Sequence, residues 1–403
     1  MKRNLIASLV LTFITVSLYA QDPNILWQRT IGGSDWDQPS FISKTNDGGF
    51  VVGGFSESNI SGEKTENSRG GYDYWVVKFD NSGNIQWQKT LGGDQDDYLR
   101  KIIQISDDGY IVLGYSSSGI SGDKTENSQG GTDYWILKLD VSGNIMWQKT
   151  IGSDDNDTVA DVEQAADGGF LIGGTASSGV SGDKTVVGDV WILKLDVNGN
   201  IQWQKGYDFF ANSNLSNARL TDDGGFIIAG SGTGGIFSDY VVSKLNMNGN
   251  SVWEKIYGGD GEDYLTNLIL TDDGGYMVIG QSNSDASGDK TEDSQGYQDY
   301  WVLKLDSAGN IVWQNTIGGD SGDIPLTVIE SSDGGYFISG SSLSNISGDK
   351  TDNTFEDSQS FWIMKLNSVG IIEWQNDIDG SLEERLPKAI QNDDGSFMIC
   401  GQS

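Results

Sequence analysis

The chain has 403 residues, with 58 acidic and 25 basic side chains, a formal net charge of −33, no His and one Cys. This balance opposes binding to nucleic-acid phosphates or anionic lipid, and it excludes an intramolecular disulfide, His/Cys zinc sites, and Ser-His-Asp or Cys-His catalysis. With 56 Gly, 4 Pro and 10% aromatic residues, the composition is neither collagen-like nor disordered and suits short strands joined by tight turns.

Residues 1–20 read as an export signal. Lys2 and Arg3 precede an apolar run from Leu5 to Leu18, and Tyr19-Ala20 before Gln21 is the cleavage site. The remainder, 21–403, is expected outside the cell. No other segment is apolar enough to insert in a membrane as a helix. Ile25 to Ile31 is predicted as a strand with Trp27 on one face. A second strand runs from about Gln38 to Thr45, and Asn46-Asp47-Gly48-Gly49 turns it into Phe50 to Gly54, because Gly supplies the positive φ of a tight hairpin. A long polar connection, Ser56 to Gly71, leads to the strand Tyr72 to Asp80. The turn Asn81-Ser82-Gly83 then opens Asn84-Ile85-Gln86-Trp87-Gln88-Lys89-Thr90, a second copy of the Trp27 stretch.

That stretch occurs seven times, at Trp27, Trp87, Trp147, Trp203, Trp253, Trp313 and Trp374. From each of these Trp residues to the aromatic after the next Asp-Gly turn is 23 residues, reaching Phe50, Tyr110, Phe170, Phe226, Tyr276, Tyr336 and Phe397. A further 12-residue spacing links Trp75/Trp87, Trp135/Trp147, Trp191/Trp203, Trp301/Trp313 and Trp362/Trp374, with Val241 in place of the first Trp before Trp253. Four period-2 strands per unit of about 50–60 residues, repeated seven times, predict an all-β fold, a seven-bladed β-propeller. Length variation is confined to the connection after the second strand, which collects loop mass on one face of the ring, where binding usually resides.

The piece from Trp135 to Trp147 resembles the third and outermost strands of quinoprotein-type propeller repeats. That resemblance implies that Tyr98 to Ser106 is innermost, Gly109 to Ser116 second, and the Trp-Gln-Lys-Thr strand outermost. The Trp27 strand would then be an outer strand closing a seventh blade, whose first two strands are Glu384 to Gln402. The third strand of that blade is missing, so the sequence reads as a fragment or as a ring with an incomplete final blade, the former being favoured.

Two acidic series stand out. Loops carry Ser61-Gly62-Glu63-Lys64-Thr65 and its copies at Ser121, Ser181, Ser287 and Ser347. Their oxygens are candidate Ca²⁺ donors, a hard cation that takes six to eight oxygens. The plainer alternative is a self-folded loop whose Lys neutralises its Asp. Links between blades align Asp37, Asp97, Asp157, Asp263 and Asp323, with Glu384 in the last copy. These are candidate ligand-binding residues at the channel mouth. Asp94, Asp97, Asp260, Asp263, Asp320 and Asp323 are the candidate Ca²⁺ set. The alternative is that each Asp caps local backbone N–H groups or pairs with a repeated Lys such as Lys78, Lys138 or Lys304. Periodic Trp residues fit packing better than sugar stacking. Trp36 has no repeat equivalent and is the first choice for a ligand contact. Cys400, in Phe397-Met398-Ile399-Cys400, reads as a small buried hydrophobe rather than a nucleophile.

The unit Trp-Gln-Lys-Thr-x-Gly-Gly, Asp-Gly-Gly-Phe, Asp-Tyr-Trp-x-x-Lys-Leu-Asp resembles the repeats of large secreted propeller proteins exported by type IX secretion systems. The resemblance covers residues 25–403 and implies extracellular or cell-surface placement, without a settled activity. No catalytic set stands apart from the repeats, and with 58 acids some carboxylate pair falls at a glycosidase separation by chance. The expected function is a monomeric, non-enzymatic scaffold that binds an extracellular protein or a polysaccharide through its loop-rich acidic face. The alternative is a polysaccharide-active enzyme or its accessory module.

Overall fold

A computed structural model describes residues 24–402 apart from 177–178, 209–210, 234–235, 355–358 and 379–384. The export signal and Glu384 lie outside the described residues. The strands fall into six four-stranded antiparallel sheets taken in sequence order, followed by a two-stranded one. Sheet one is β1 (Asp37–Lys44), β2 (Phe50–Ser56), β3 (Asp73–Phe79) and β4 (Ile85–Leu91). Sheet two is β5 (Asp97–Gln104), β6 (Tyr110–Ser116), β7 (Asp133–Leu139) and β8 (Ile145–Ile151). Sheet three is β9 (Asp157–Gln164), β10 (Phe170–Ala176), β11 (Val190–Leu195) and β12 (Ile201–Tyr207). Sheet four is β13 (Ala211–Leu220), β14 (Phe226–Thr233), β15 (Asp239–Leu245) and β16 (Ser251–Tyr257). Sheet five is β17 (Asp263–Leu270), β18 (Tyr276–Ser282), β19 (Asp299–Leu305) and β20 (Ile311–Ile317). Sheet six is β21 (Asp323–Glu330), β22 (Tyr336–Ser342), β23 (Ser360–Leu366) and β24 (Ile372–Ile378), and the last sheet is β25 (Arg385–Gln391) with β26 (Phe397–Gln402). The seven first strands touch in succession, and β25 touches β1, which closes a circle. This is a β-propeller of six four-stranded blades plus a two-stranded sheet, with the strand order within blades that the resemblance implied.

Neighbouring blades are locked by an aromatic step. Tyr74 of β3 packs on Trp135 of β7 at 4.8 Å between ring centroids, and the step recurs as Tyr134/Trp191, Tyr240/Trp301 and Tyr300/Trp362. The Tyr74 hydroxyl donates to the Trp135 carbonyl at 3.1 Å. A Cβ at Gly114 would lie 2.4 Å from the Tyr74 hydroxyl oxygen, and one at Gly280 would lie 2.5 Å from that of Tyr240. The second strand therefore needs Gly at this register. Between blades three and four the lock is replaced. Val190 takes the Tyr position, Val241 the Trp position, and both are fully buried in one core cluster. The loss of Trp at 241 is thus matched by the loss of its partner.

The outer Trp residues make a second contact. Trp87 packs edge-on against Tyr110 at 5.4 Å, and Trp147/Phe170, Trp203/Phe226 and Trp253/Tyr276 follow. The 23-residue spacing is therefore a ring contact between adjacent blades. Each third-strand Trp indole also donates to the Gln that follows the outer Trp, as in Trp135 Nε1 to Gln148 Oε1 at 3.0 Å. The Gln amide then reaches the loop carbonyl of Asp123 at 2.7 Å.

The predicted strand Ile25 to Ile31 is not a strand; residues 24–36 carry none. In the six blades the outer strand takes its ladder bonds from the third strand, and no third strand lies beside β26 among the described residues. Trp27 nevertheless stacks on Phe50 at 6.5 Å and meets Gly83, although it is 48% exposed. Cys400 packs beside Ile390 and Met398, and burial pushes its thiol up to about 12.

The lock predicts unequal costs for two Trp residues. Trp135→Ala should lower the unfolding free energy by about 3–5 kcal/mol, because Trp135 is fully buried. Trp87→Ala, which removes a half-exposed ring, should cost about half as much or less. Urea titration reads both, and equal losses would contradict the lock as the main inter-blade contact.

Candidate binding face

The second-to-third loops and the links between blades lie at one end of the ring, and the short Asp-Gly turns lie at the other. At the loop-rich end, Asp97, Asp157, Asp263 and Asp323 are fully buried, and Asp37 is half-buried. Each accepts a backbone N–H four residues upstream: Asp97 from Gly93 at 2.7 Å, Asp263 from Gly259 at 2.9 Å, Asp323 from Gly319 at 2.8 Å. Asp37 and Asp157 do the same with Gly33 and Ser153. Lys78, Lys138 and Lys304 are at the opposite end, where they bond Asp47, Asp107 and Asp273 of the turns. Of the two alternatives weighed for the link acids, the geometry is that of backbone caps. Asp94, Asp260 and Asp320 are exposed. Asp94 bonds Ser121, while the Asp320 N–H donates to Ser347. Among the described residues no three Asp, Glu or Cys side chains converge as a metal site.

The loop acids are likewise committed to amides. Glu66, Glu126 and Glu292 accept from the N–H of Thr90, Thr150 and Thr316. Asn67, Asn127 and Asn353 accept from Ile60, Ile120 and Ile346. The Asp of the Ser-Gly-Asp-Lys-Thr motif docks the loop on the preceding blade: the Asp123 N–H donates to Gly92 O at 2.9 Å, and Asp123 Oδ2 accepts from Gly92 N at 3.2 Å. The motif Lys does not pair with that Asp. Lys64 and Lys124 are buried and donate to the carbonyls of Ser58 and Ser118.

Buried acids meet in pairs across blade junctions. Burial, with the like charge of Asp97, pushes Asp73 up to about 7. The same causes act on Asp133 beside Asp157, also to about 7. Asp239 and Asp299, beside Asp263 and Asp323, rise to about 6. Asp73 Oδ1 and Asp97 Oδ1 are both buried without a hydrogen-bond partner, as are those of Asp299 and Asp323. At the other end, burial alone would raise Asp47 and Asp273, but bonds from Thr45 and Lys78, or from Thr271 and Lys304, hold both down at about 2.

On the axis, a β-bulge in the first strands re-aims one side chain per blade inward. The register shifts between Pro39 and Phe41, Leu99 and Lys101, Leu215 and Asn217, Leu265 and Asn267, and Pro325 and Thr327. These side chains fill the channel. Lys101 lies over the Phe41 ring and pairs with buried Asp161, which also meets Arg219 at 3.6 Å. Asn217 accepts from the Leu268 N–H at 2.8 Å. The channel is a polar plug in which Lys101, Asp161 and Arg219 pair with one another, whereas Lys388 of β25 donates to the Leu326 carbonyl at 3.2 Å and desolvation pushes its amine down to about 8.

What remains at the loop-rich end is a group that breaks the repeat. Phe55, Tyr72, Tyr98 and Tyr115 form one ring cluster, with centroids 5.0–5.4 Å apart, at the junction of blades one and two. The Phe55/Tyr115 position holds Thr175, Ser231, Gln281 and Ser341 in the other blades. The Tyr98 position keeps an aromatic only at Tyr264 among the later described blades. Two acids frame the rings. Asp96 accepts from the Tyr72 N–H at 3.1 Å and from the Tyr98 hydroxyl at 3.4 Å, and burial with Asp96 pushes that phenol up to about 12. Glu57 lies close enough to raise Tyr72, whose main cause is burial. The Glu57 N–H donates to the carbonyl of Trp36, which is 46% exposed. The Trp36 backbone thus meets the residue two beyond Phe55, while its ring makes none of the aromatic contacts of the cluster. Phe55 and Tyr115 share one repeat position that is aromatic only in blades one and two among the four-stranded sheets. A cleft at the short-turn end, lined by Asp47, Lys78, Trp87 and Tyr110, consists of repeat residues and is a blade seam.

No family model matches the chain. A 170-residue stretch, 40% of the chain, is 24% identical to the regulatory protein FlaEY of Caulobacter vibrioides and spans 18% of that relative's length. Among solved structures, the chain is similar to Sqt1 of Chaetomium thermophilum, with a TM-score of 0.49 and 10% identity over 91% of this chain and 93% of that one. It is also similar to a protein of unknown function from Bacteroides caccae, with a TM-score of 0.44 and 11% identity over 75% of this chain and 90% of that one. A third similar structure, from Dyadobacter fermentans and also of unknown function, has a TM-score of 0.45 and 11% identity over 79% of this chain and 94% of that one.

The paired acids set a pH dependence. Between about pH 4 and 7 the folded chain holds protons on Asp73, Asp133, Asp239 and Asp299 that the unfolded chain has released, so stability falls as pH rises through that window. Below about pH 4, protonation of Asp47 and Asp273 removes their ion pairs and stability falls again. The urea midpoint should therefore peak near about pH 4, and Asp73→Asn should flatten the decline above it. A midpoint that climbs steadily from pH 5 to 8 would contradict protons held on these buried Asp side chains.

Proposed function

We propose that this chain is a non-enzymatic, secreted or cell-surface β-propeller that binds a polysaccharide through its loop-rich face. The observation that carries the reading is the Phe55–Tyr72–Tyr98–Tyr115 cluster, with exposed Trp36 bonded through its backbone to Glu57 at the same end of the ring. Loops on a rigid ring hold residues where ligands dock, and here the periodic acids are occupied with capping while these rings depart from the repeat. Aromatic faces accept the C–H face of a sugar, and Asp96 and Glu57 beside them accept its hydroxyl protons. Export through the segment at residues 1–20 would put this face outside the cell, and the resemblance to type IX-exported repeats supports the same placement. Binding to a panel of soluble polysaccharides, read by isothermal titration, tests the reading. Tyr98→Ala and Trp36→Ala should each weaken binding at least about tenfold, roughly 1.4 kcal/mol. A glycan panel with no ligand, or one bound equally well by both variants, would sink it.

We also propose that the ring is seven-bladed, with the two-stranded sheet and the N-terminal segment belonging to one blade. Trp27 on Phe50 and Gly83 repeats the contacts of the other outer Trp residues. Arg29 Nη1 donates to Gly83 O at 2.9 Å, where Asn315 Nδ2 donates to Gly370 O at 2.5 Å. Trp27→Ala should cost about 1 kcal/mol of stability, while Leu26→Ala, at an exposed position, should cost nothing measurable. Equal effects would remove the N-terminal segment from the ring.

A further inference from the structure

Of the ion pairs among the described residues, two are buried at both ends: Lys101 with Asp161, and Lys350 with Asp377. The first is held as charge, because Asp161 also meets Arg219 and accepts from the N–H groups of Val162 and Ala218. The second falls where blade six departs from the repeat. Lys350 is the Lys of the Ser-Gly-Asp-Lys-Thr loop between β22 and β23. Its counterparts Lys64, Lys124 and Lys290 donate to the main-chain carbonyls of Ser58, Ser118 and Ser284. Lys350 donates to the hydroxyls of Ser342 at 2.9 Å and Ser360 at 3.3 Å, and its Nζ lies 2.7 Å from Asp377 Oδ2.

Two substitutions make this site. The other four-stranded blades carry an Asp at the start of the third strand, as at Asp73, Asp133 and Asp299, where blade six has Ser360. Three residues after the outer Trp they carry no acid, as at Thr90, Thr150 and Thr316, where blade six has Asp377. The exchange changes what surrounds the Lys. Burial lowers Lys124 and Lys290, and two Asp apiece oppose it and hold the amine as a cation: Asp97 with Asp133, and Asp263 with Asp299. Ser360 takes one of those carboxylates away from Lys350, and Asp377 brings another to the opposite side. Asp377 stands across the ladder from Trp362, and the Lys350 Nζ lies 5.5 Å from the centre of that indole. The Lys side chain is 0% exposed and the Asp side chain 5%. Two ions in a dry site lose their hydration, whereas one neutral amide in their place has no charge to desolvate.

We propose that Lys350 and Asp377 are a self-crosslinking site, at which the chain joins the Lys350 amine to the Asp377 side chain in an isopeptide bond. Within the pair a proton passes from the ammonium to the carboxylate, leaving a free amine and a carboxylic acid. The amine attacks Cγ, so that the Nζ–Cγ bond forms and the bond from Cγ to the hydroxyl oxygen breaks. Ser342, bonded to Nζ, carries a second amine proton to the departing oxygen, and one water leaves. No oxidant, reductant or cofactor is consumed. The contact already holds the reacting groups together, and the exclusion of water opposes hydrolysis of the product. A chain with one Cys cannot staple itself with a disulfide. The amide ties the blade-six loop to its outer strand β24 by a bond that no reductant opens.

Mass spectrometry of the intact protein after denaturation tests the proposal. The wild-type chain should be one water lighter than its sequence requires, and Lys350→Arg and Asp377→Ala should each carry the full mass. After proteolysis, the segments that hold Lys350 and Asp377 should appear as one branched peptide, with fragment ions that place the link between those two side chains. A wild-type chain at its full sequence mass would overturn the proposal, and that measurement does not depend on whether either variant folds. A water loss that persists in Lys350→Arg would overturn it as well, because it marks cyclisation at an Asp-Gly turn rather than a crosslink.

Discussion

The structure depends on one repeated contact, the Tyr of one blade set on the Trp of the next. A blade of four short strands cannot bury both its faces alone. The lock gives each face a large ring to bury and fixes the angle at which the next sheet arrives. Its constraints spread into the sequence. Gly is needed in the second strand so that the Tyr hydroxyl fits against the backbone, as at Gly114 and Gly280. Gln is needed after the outer Trp to take the indole N–H, as at Gln148. Where the lock is given up, both partners change together to Val190 and Val241.

The same economy governs the charge. A surplus of acid at the loop-rich end looks like a cation site until its side chains are followed to the backbone amides they cap. Asn67, Asp97 and Asp123 accept from backbone N–H groups of loops and links that have no ladder to bond, and Glu66 from Thr90 on the open edge of the outer strand β4. The buried Lys of each loop offsets part of this charge, and burial with neighbouring Asp raises the pKa of Asp73, Asp133, Asp239 and Asp299. The face is therefore acidic for structural reasons. Ligand chemistry is better sought in residues that the repeat does not require, and those are Trp36, Phe55, Tyr72, Tyr98 and Tyr115.

Much of the fold was legible because a repeat exposes its own spacing. The 23-residue interval proved to be a direct ring contact, Trp87 on Tyr110, and the strand order within blades followed from the resemblance. The lock itself was not legible, because Tyr74 and Trp135 are 61 residues apart and belong to different units; a search within one unit cannot pair them. Asp97 and Asp157 were aligned correctly, but spacing does not say whether a carboxylate points at solvent or at an amide. The segment around Trp27 has the sequence of an outer strand and not its conformation, because a strand is defined by its neighbour as much as by its own residues. The Phe55 cluster was missed because attention to what repeats conceals what does not.

The central claim is that the blades stand or fall together through the lock. Native-state hydrogen exchange across a urea series tests it most directly. The account predicts that amides of the second and third strands in all six four-stranded blades converge on one global unfolding free energy, with β25 and β26 opening at lower cost. Blades that lose protection one at a time, each with its own free energy, would contradict it.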